Sequence, residues 1–295
     1  MDQSDDVYAA QAYCPITDLD HADQAYEWMY QNLQTYNNSR SGENGESTDF
    51  EKAVSKQMAS GYVDYINSLK LVDTKTGEPL TLGEDGRSGR FYQYMVQKVE
   101  DAATVYLNKL SEGSLDVPYT LNDCLSWDGS SAKITSLDDY LADYNPRMKS
   151  VMAFDNLEMN EKSGENLEFG DETHQYLHFD SYMPDVLEKL KTDYPEEYSK
   201  YAEGYDAVIG DKALAERKKL LNPLNYIGSD SVDTAEHIRI RVGTQDADTA
   251  LSVSAVLALS LENKTDADVD YALVWNQGHG NADYDGELLQ WIDKI

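Results

Sequence analysis

Near its C-terminus the chain carries two strand-like runs joined by a helix-like one, and that order fixes how the strands can pair. The first run, His237-Ile238-Arg239-Ile240-Arg241-Val242-Gly243, passes from amphipathic to apolar and ends in Asp246-Ala247-Asp248-Thr249. Residues 249–262 have helical character, and the second run, Val269-Asp270-Tyr271-Ala272-Leu273-Val274-Trp275, leads straight into Asn276-Gln277-Gly278-His279-Gly280. A strand–helix–strand unit closes as a parallel pair with both strand ends on one edge of the sheet. Carboxylates and an imidazole are thereby delivered to the same edge.

The other end supplies a third strand. Val7-Tyr8-Ala9-Ala10-Gln11-Ala12-Tyr13-Cys14-Pro15-Ile16 is β-compatible and stops at a proline, as a buried strand of a mostly parallel sheet does. Between the two ends strand signals are sparse. Residues 17–23 lead into a helix, residues 35–48 have loop composition, and helices are predicted over 49–70 and 88–111. In the second of these Phe91, Met95, Val99, Ala102 and Tyr106 recur every three or four residues, which makes one apolar face. Shorter helices are predicted at 137–141, 184–190, 196–202, 211–221 and, closing the chain, 287–292. The expected fold class is α/β: residues 1–20 and 236–295 form a partial parallel sheet, and 21–235 form a large, mostly helical lid inserted between its strands.

Composition narrows the function. With 24 Lys and Arg against 55 Asp and Glu the formal net charge is -31, which weighs against nucleic acid and anionic membranes as partners. No apolar run is long enough for a transmembrane helix. Cys14 and Cys124 have no metal-ligand spacing and suggest no disulfide framework, and Cys14, inside an apolar run, is expected in the core. The first residues are neither a cationic leader nor a transit peptide, which leaves the compartment open. Three acids close together, Asp18, Asp20 and Asp23, raise calcium as a ligand, but the run lacks the loop glycine and bidentate Glu of such a site.

Asp246 and His279 are the candidate catalytic pair. An acid after one parallel strand and a histidine after the next is how α/β-hydrolases present the group that orients the imidazole and the imidazole that moves the proton. The glycines at 278 and 280 let the backbone turn and keep bulk away from a reacting ester. Asp248 admits a second role, since an Asp followed by Thr249 opens a helix well. The nucleophile is missing: Gly-x-Ser-x-Gly occurs nowhere, Gly129-Ser130-Ser131-Ala132-Lys133 lacks the flanking strand, and Cys14 precedes a proline that cannot donate an oxyanion-hole N–H.

Four separated motifs, in order, resemble the bacterial subtype B tannases and their feruloyl-esterase-like relatives. They are Ala12-Tyr13-Cys14-Pro15-Ile16-Thr17-Asp18-Leu19 and its continuation to Trp28, Arg147-Met148-Lys149-Ser150-Val151-Met152-Ala153-Phe154-Asp155 with residues 164–170, Arg239 through Thr249, and Trp275 through Tyr284. The resemblance implies an α/β-hydrolase that cleaves polyphenol esters through a Ser-His-Asp acyl-enzyme mechanism. It implies Asp246 as triad acid and His279 as general base. Lys149, Glu165 and Asp248 are implied as the groups that hold the hydroxyls of a galloyl ring, for which carboxylate acceptors and an ammonium donor are suited. Ala247 stands where the family has a larger polar residue, and the family's serine elbow and oxyanion loop lie upstream of the segment matching residues 6–28. The expectation is therefore the lid and C-terminal part of an ester hydrolase of galloyl or related aromatic esters, inactive alone. Its partners would be an aromatic ester and either a second copy or an N-terminal half. Neither cofactor nor metal is expected. The alternative is a non-catalytic binding or assembly module that retains hydrolase relics.

Overall fold

The computed structural model describes residues 6–295. In chain order the elements are strand β1 (Ala9–Tyr13), α1 (Leu19–Tyr30), the hairpin β2 (Thr35–Asn38) and β3 (Glu43–Glu46), α2 (Asp49–Leu69) and α3 (Arg90–Ser111). A second hairpin, β4 (Leu125–Trp127) and β5 (Ala132–Ile134), precedes α4 (Leu137–Asp143), α5 (Gly164–Glu168), α6 (Met183–Leu190), α7 (Pro195–Asp206) and α8 (Lys212–Leu221). The chain closes with β6 (His237–Gly243), α9 (Leu251–Lys264), β7 (Asp268–Val274) and α10 (Glu287–Ile292).

The first and last segments meet in one parallel sheet of order β1-β6-β7, Ala9 facing His237 and His237 facing Asp268. Ile240 and Val242 are buried on β6, and α9, buried from Leu251 to Leu261, runs between β6 and β7. A helix buried on all sides needs no amphipathic stripe, which is why residues 251–261 are apolar or small throughout. Arg239 and Arg241 are buried on the same strand and would be costly there alone. Arg239 donates to Asp283 at 2.6 Å and Arg241 forks onto Asp270 at 2.7 and 2.8 Å, so each charge has its counter-charge.

One hydrophobic core runs from this sheet into the helices, joining Ile240, Val242 and Val256 to Trp28 and Tyr30 of α1, Tyr62 of α2 and Phe91 and Met95 of α3. A smaller cluster sits apart, built from Phe50, Val54 and Met58 with Val151, Met152, Met183, Val186 and Tyr205. Among the described residues no helix is long and apolar enough to cross a membrane.

The loop expectation needs correction. Residues 35–48 are not loop throughout: a β-hairpin forms because Asn38 Oδ1 caps the turn, accepting from the backbone N–H groups of Arg40 and Ser41, and Gly42 takes φ 78°. The middle also contains the β4–β5 hairpin, closed by Asp128 accepting from Ser130 and Ser131. Both are too short to leave a period in the sequence, and side-chain turn chemistry makes them. The calcium idea fails on geometry. Asp18 accepts from His21, Tyr65 and Asn222, Asp20 pairs with Lys218, and Asp23 accepts the N–H groups of Phe154 and Asp155, so the three carboxylates serve three different places.

Candidate active site

Two loops leave the C-terminal ends of β6 and β7 and are bound to each other edge to edge. Thr244 N donates to Val274 O at 3.0 Å and Gln245 N to Gln277 O at 2.8 Å. Gly243 makes that approach possible, since a Cβ there would sit 2.2 Å from Gln277 O and 2.3 Å from Gly278 O. Asn276 turns the second loop in the left-handed region, φ 61°, its N–H donating to Thr244 Oγ1 at 3.2 Å and its amide to Tyr106 at 3.2 Å. Beyond the histidine, Asp283 is fastened by Arg239 and by the Tyr13 hydroxyl at 2.7 Å, so the loop is held on both sides.

The result is a histidine–carboxylate pair. His279 Nδ1 lies 3.0 Å from Asp246 Oδ2 and 3.8 Å from Asp248 Oδ2. Asp246 is fully buried while the His279 side chain is 43% exposed, so one partner is fixed and the other faces outward. The second Asp246 oxygen accepts from Asp248 N at 2.9 Å. With its carboxylate acting only as an acceptor, Asp246 selects the tautomer protonated at Nδ1, which leaves Nε2 with a free lone pair. Among the described residues no serine or threonine hydroxyl hydrogen-bonds this imidazole. The Cys14 thiol lies within 4.8 Å of a ring nitrogen of His279, buried and donating weakly to Gly280 O at 3.5 Å. Burial pushes that thiol up to about 11, which makes it a poor nucleophile at neutral pH.

Asp248 does not cap the following helix. α9 opens at Leu251 with Ala250 as its boundary residue and no side-chain cap, and the Asp248 carboxylate turns instead to Arg40. Arg40 comes from the turn of the β2–β3 hairpin, and its guanidinium also reaches Met148 Sδ at 3.4 Å. It was not foreseen. The only signal in the sequence is that it is the sole cation in the Gly/Ser/Asn-rich stretch.

Lys149 is brought alongside by a phenol. Tyr26 donates to Ala247 O at 2.9 Å and accepts from Met148 N at 3.3 Å and Lys149 N at 3.0 Å, joining the acid loop to the lysine segment through one oxygen atom. Arg147 then donates to Lys149 O at 2.8 Å while its two terminal nitrogens fork onto Glu27 at 2.8 and 2.5 Å. Both members of that pair are fully buried. The Lys149 ammonium lies 4.2 Å from the centre of the Phe154 ring. Glu165 is half-buried on α5 and, among the described residues, has no hydrogen bond to Asp246, Asp248, His279 or Lys149. Its helix is anchored by Asn166, which donates to Asp155 at 2.7 Å and to Leu177 O at 2.9 Å. Asp246, Asp248 and His279 are thus gathered, the Lys149 backbone is tied to the same loop through Tyr26, and Glu165 lies on α5.

The fold and the pair together define an α/β protein whose small parallel sheet presents an acid and a histidine at adjacent strand ends. No family model and no curated protein matches the chain. Solved structures do. The native tannin acyl hydrolase of Lactobacillus plantarum is 32% identical with a TM-score of 0.78, the match covering 98% of this chain and 57% of that one. The tannase of Fusobacterium nucleatum is 35% identical with a TM-score of 0.75, covering 98% and 59%. A tannin acyl hydrolase in complex with ethyl gallate is 33% identical with a TM-score of 0.76, covering 98% and 56%. The chain is therefore tannase-like over nearly all its residues, and it spans less than two thirds of the length of the tannases it matches.

Proposed function

We propose that this chain supplies the acid, the base and the ring-binding groups of a tannase-type ester hydrolase acting on galloyl or related aromatic esters. The observation that carries the reading is the 3.0 Å contact between exposed His279 and buried Asp246 at the ends of adjacent parallel strands. In the proposed reaction His279 Nε2 takes the proton of a serine hydroxyl as that oxygen attacks the ester carbonyl, and Asp246 stabilises the imidazolium so formed. The proton then passes to the leaving alcohol, and water repeats the cycle on the acyl-enzyme. Gly-x-Ser-x-Gly does not occur in the chain and, among the described residues, no serine or threonine hydroxyl hydrogen-bonds His279, so the proposed reaction requires a serine supplied by a further segment.

For the substrate, Asp248 and Glu165 would accept from phenolic hydroxyls and Lys149 would donate to a third oxygen, with the helical middle acting as the lid over the ring. Ethyl gallate in a structurally similar tannin acyl hydrolase supports that choice of ligand. Asp248 already adjoins the pair, and the Lys149 backbone is tied to the same acid loop through Tyr26. The test is hydrolysis of methyl gallate and a small nitrophenyl ester by this chain, alone and with a segment carrying a serine elbow. The expected result is turnover only with the segment, lost again in His279→Ala. Turnover by the chain alone would place the nucleophile within it. Silence in both arms, with gallate still bound, would leave the binding-module reading.

A further inference from the structure

We infer that Cys14, Asp246 and His279 form a binding site for a thiophilic divalent cation of the zinc class. The three side chains each offer one ligand atom, and these atoms all lie within 4.8 Å of one another. Each comes from the end of a different strand of the same sheet: Cys14 follows β1, Asp246 lies in the turn after β6, and His279 is on the loop after β7. Their sequence positions, 14, 246 and 279, show no ligand spacing, which is why counting cysteines revealed nothing.

The donor set selects the ion. One sulfur, one imidazole nitrogen and one carboxylate oxygen suit zinc and its neighbours, whereas calcium and magnesium take shells made of oxygen. Zinc bonds of about 2.3 Å to sulfur and about 2.0–2.2 Å to nitrogen and oxygen place tetrahedral ligands roughly 3.3–3.6 Å apart. His279 and Asp246 are at 3.0 Å already, and the sulfur needs a small closing movement. Two of the three positions are firm. Asp246 is fully buried, and the Cys14 backbone is tied to β6 through its N–H to Arg241 O at 2.8 Å. The half-exposed His279 can adjust and leaves a fourth position for water.

The thiol has no strong partner to give up: its contacts are Gly280 O at 3.5 Å and Gly278 O at 3.9 Å. On binding, the S–H bond breaks, the sulfur–metal bond forms and the proton passes to solvent. The thiolate and Asp246 together balance the charge of the ion, Asp248 stands close by, and the strongly acidic chain draws cations to its surface. Coordination also removes the imidazole from proton transfer. At Nδ1 it would break the bond to Asp246, and at Nε2 it would take the lone pair needed to accept a proton. The cation is therefore an inhibitor of the pair. Its binding stands on the geometry and does not require the hydrolase reading to hold.

The experiment is titration of the chelator-treated chain with Co2+ alone, then with Zn2+ as competitor. The expected result is one site per chain with a sulfur-to-cobalt charge-transfer band that zinc displaces. Cys14→Ser should abolish the band, and both it and His279→Ala should weaken affinity at least ~10-fold. Cys124→Ser and His174→Ala, which alter the other thiol and an exposed histidine, should change neither. Circular dichroism checks that Cys14→Ser is folded, and His279→Ala, at a half-exposed side chain, serves if it is not. Absence of saturable binding, absence of the band, or a band that survives Cys14→Ser would each overturn the site.

Discussion

Two regions build the candidate site by different means. Asp246 and His279 are placed by the sheet: two parallel strands end together, and backbone bonds between their loops set the spacing. Lys149 is placed by an irregular segment whose order comes from buried polar groups, chiefly the Arg147–Glu27 pair, 120 residues apart in sequence, and the Tyr26 phenol. The same segment continues into a second network. There Asp155 accepts from His178, Phe179 N, Asp180 N and Asn166, and Asp23 accepts from Phe154 N and Asp155 N. The first region is rigid because its backbone is paired. The second is rigid only while each buried charge keeps its partner, and it should therefore fail first.

The largest effect is expected at Arg147. Arg147→Ala strips a fully buried Glu27 of its counter-charge, and breaking such a pair from one side costs about 3–5 kcal/mol. Urea unfolding measures it. Arg147→Met with Glu27→Leu should recover most of the loss, because two apolar groups leave no charge stranded. A loss below about 1 kcal/mol in Arg147→Ala would show that water reaches Glu27 and that the segment is ordered otherwise. In the sheet region the comparable lesion is Gly243→Ala. Its Cβ would press on two carbonyl oxygens, and overpacking of this kind costs about 1–3 kcal/mol. The His279–Asp246 bond should loosen with it, visible as a changed imidazole proton resonance, whereas Arg147→Ala should leave that resonance in place.

That division is also the division in what the sequence disclosed. Strand, helix and strand over 237–275 carry their periods openly, and a parallel crossover then has one geometry, so the meeting of Asp246 with His279 follows from pattern alone. The segment around Lys149 has no period. Its position depends on Tyr26 and Glu27 of α1 finding Met148, Lys149 and Arg147, and no local rule connects residues so far apart. The short hairpin that delivers Arg40 was hidden for a related reason, its turn being made by a single Asn38 side chain. Cys14 was legible as a core residue, and it is buried, but its approach to His279 needed the register of β1 on β6.

The acid network gives the second region a pH dependence. Burial, with Asp180 nearby, holds the Asp23 carboxyl well above the ordinary carboxylate range. Burial, reinforced by Asp155, raises Asp180 to about 7, with His21 opposing. Among the described residues one Asp180 oxygen has no hydrogen-bond partner, although the other accepts from Tyr182 N and Met183 N. A carboxyl whose pKa is raised on folding favours the fold while protonated. This contribution is complete below the unfolded value near 4 and is lost as pH rises through the folded value. The denaturation midpoint should therefore fall between pH 5 and 8, each unit of raised pKa being worth about 1.4 kcal/mol once the group ionises. Asp180→Asn should flatten that fall; a midpoint that rises over this range, or an unchanged slope in the variant, would refute the account.

Between the two regions stands Tyr26, whose phenol hydrogen-bonds to both. Tyr26→Phe keeps the buried ring and removes one donated and two accepted hydrogen bonds, a loss of about 1–3 kcal/mol because two backbone N–H groups and a carbonyl are left without that partner. If the two regions are coupled through this oxygen, gallate affinity should fall while the His279 resonance stays unchanged.

The smallest effect on stability is expected at Arg40, which spans the same gap from solvent. Its guanidinium is largely exposed, and ion pairs of that kind are worth roughly 0–1 kcal/mol, so Arg40→Gln should barely move the urea midpoint. Its effect should appear instead in the charge beside the histidine. Asp248 lies 3.8 Å from His279 Nδ1, and neutralising Arg40 leaves that carboxylate without its counter-charge. An unpaired anion at that distance changes the field at the ring, so the His279 imidazole resonance at fixed pH should move in Arg40→Gln relative to the parent, by NMR at low salt. The change should shrink as salt is added, because the group is exposed enough to be screened. An unmoved resonance would mean that Arg40 holds the hairpin to Met148 and leaves the field at the pair unchanged.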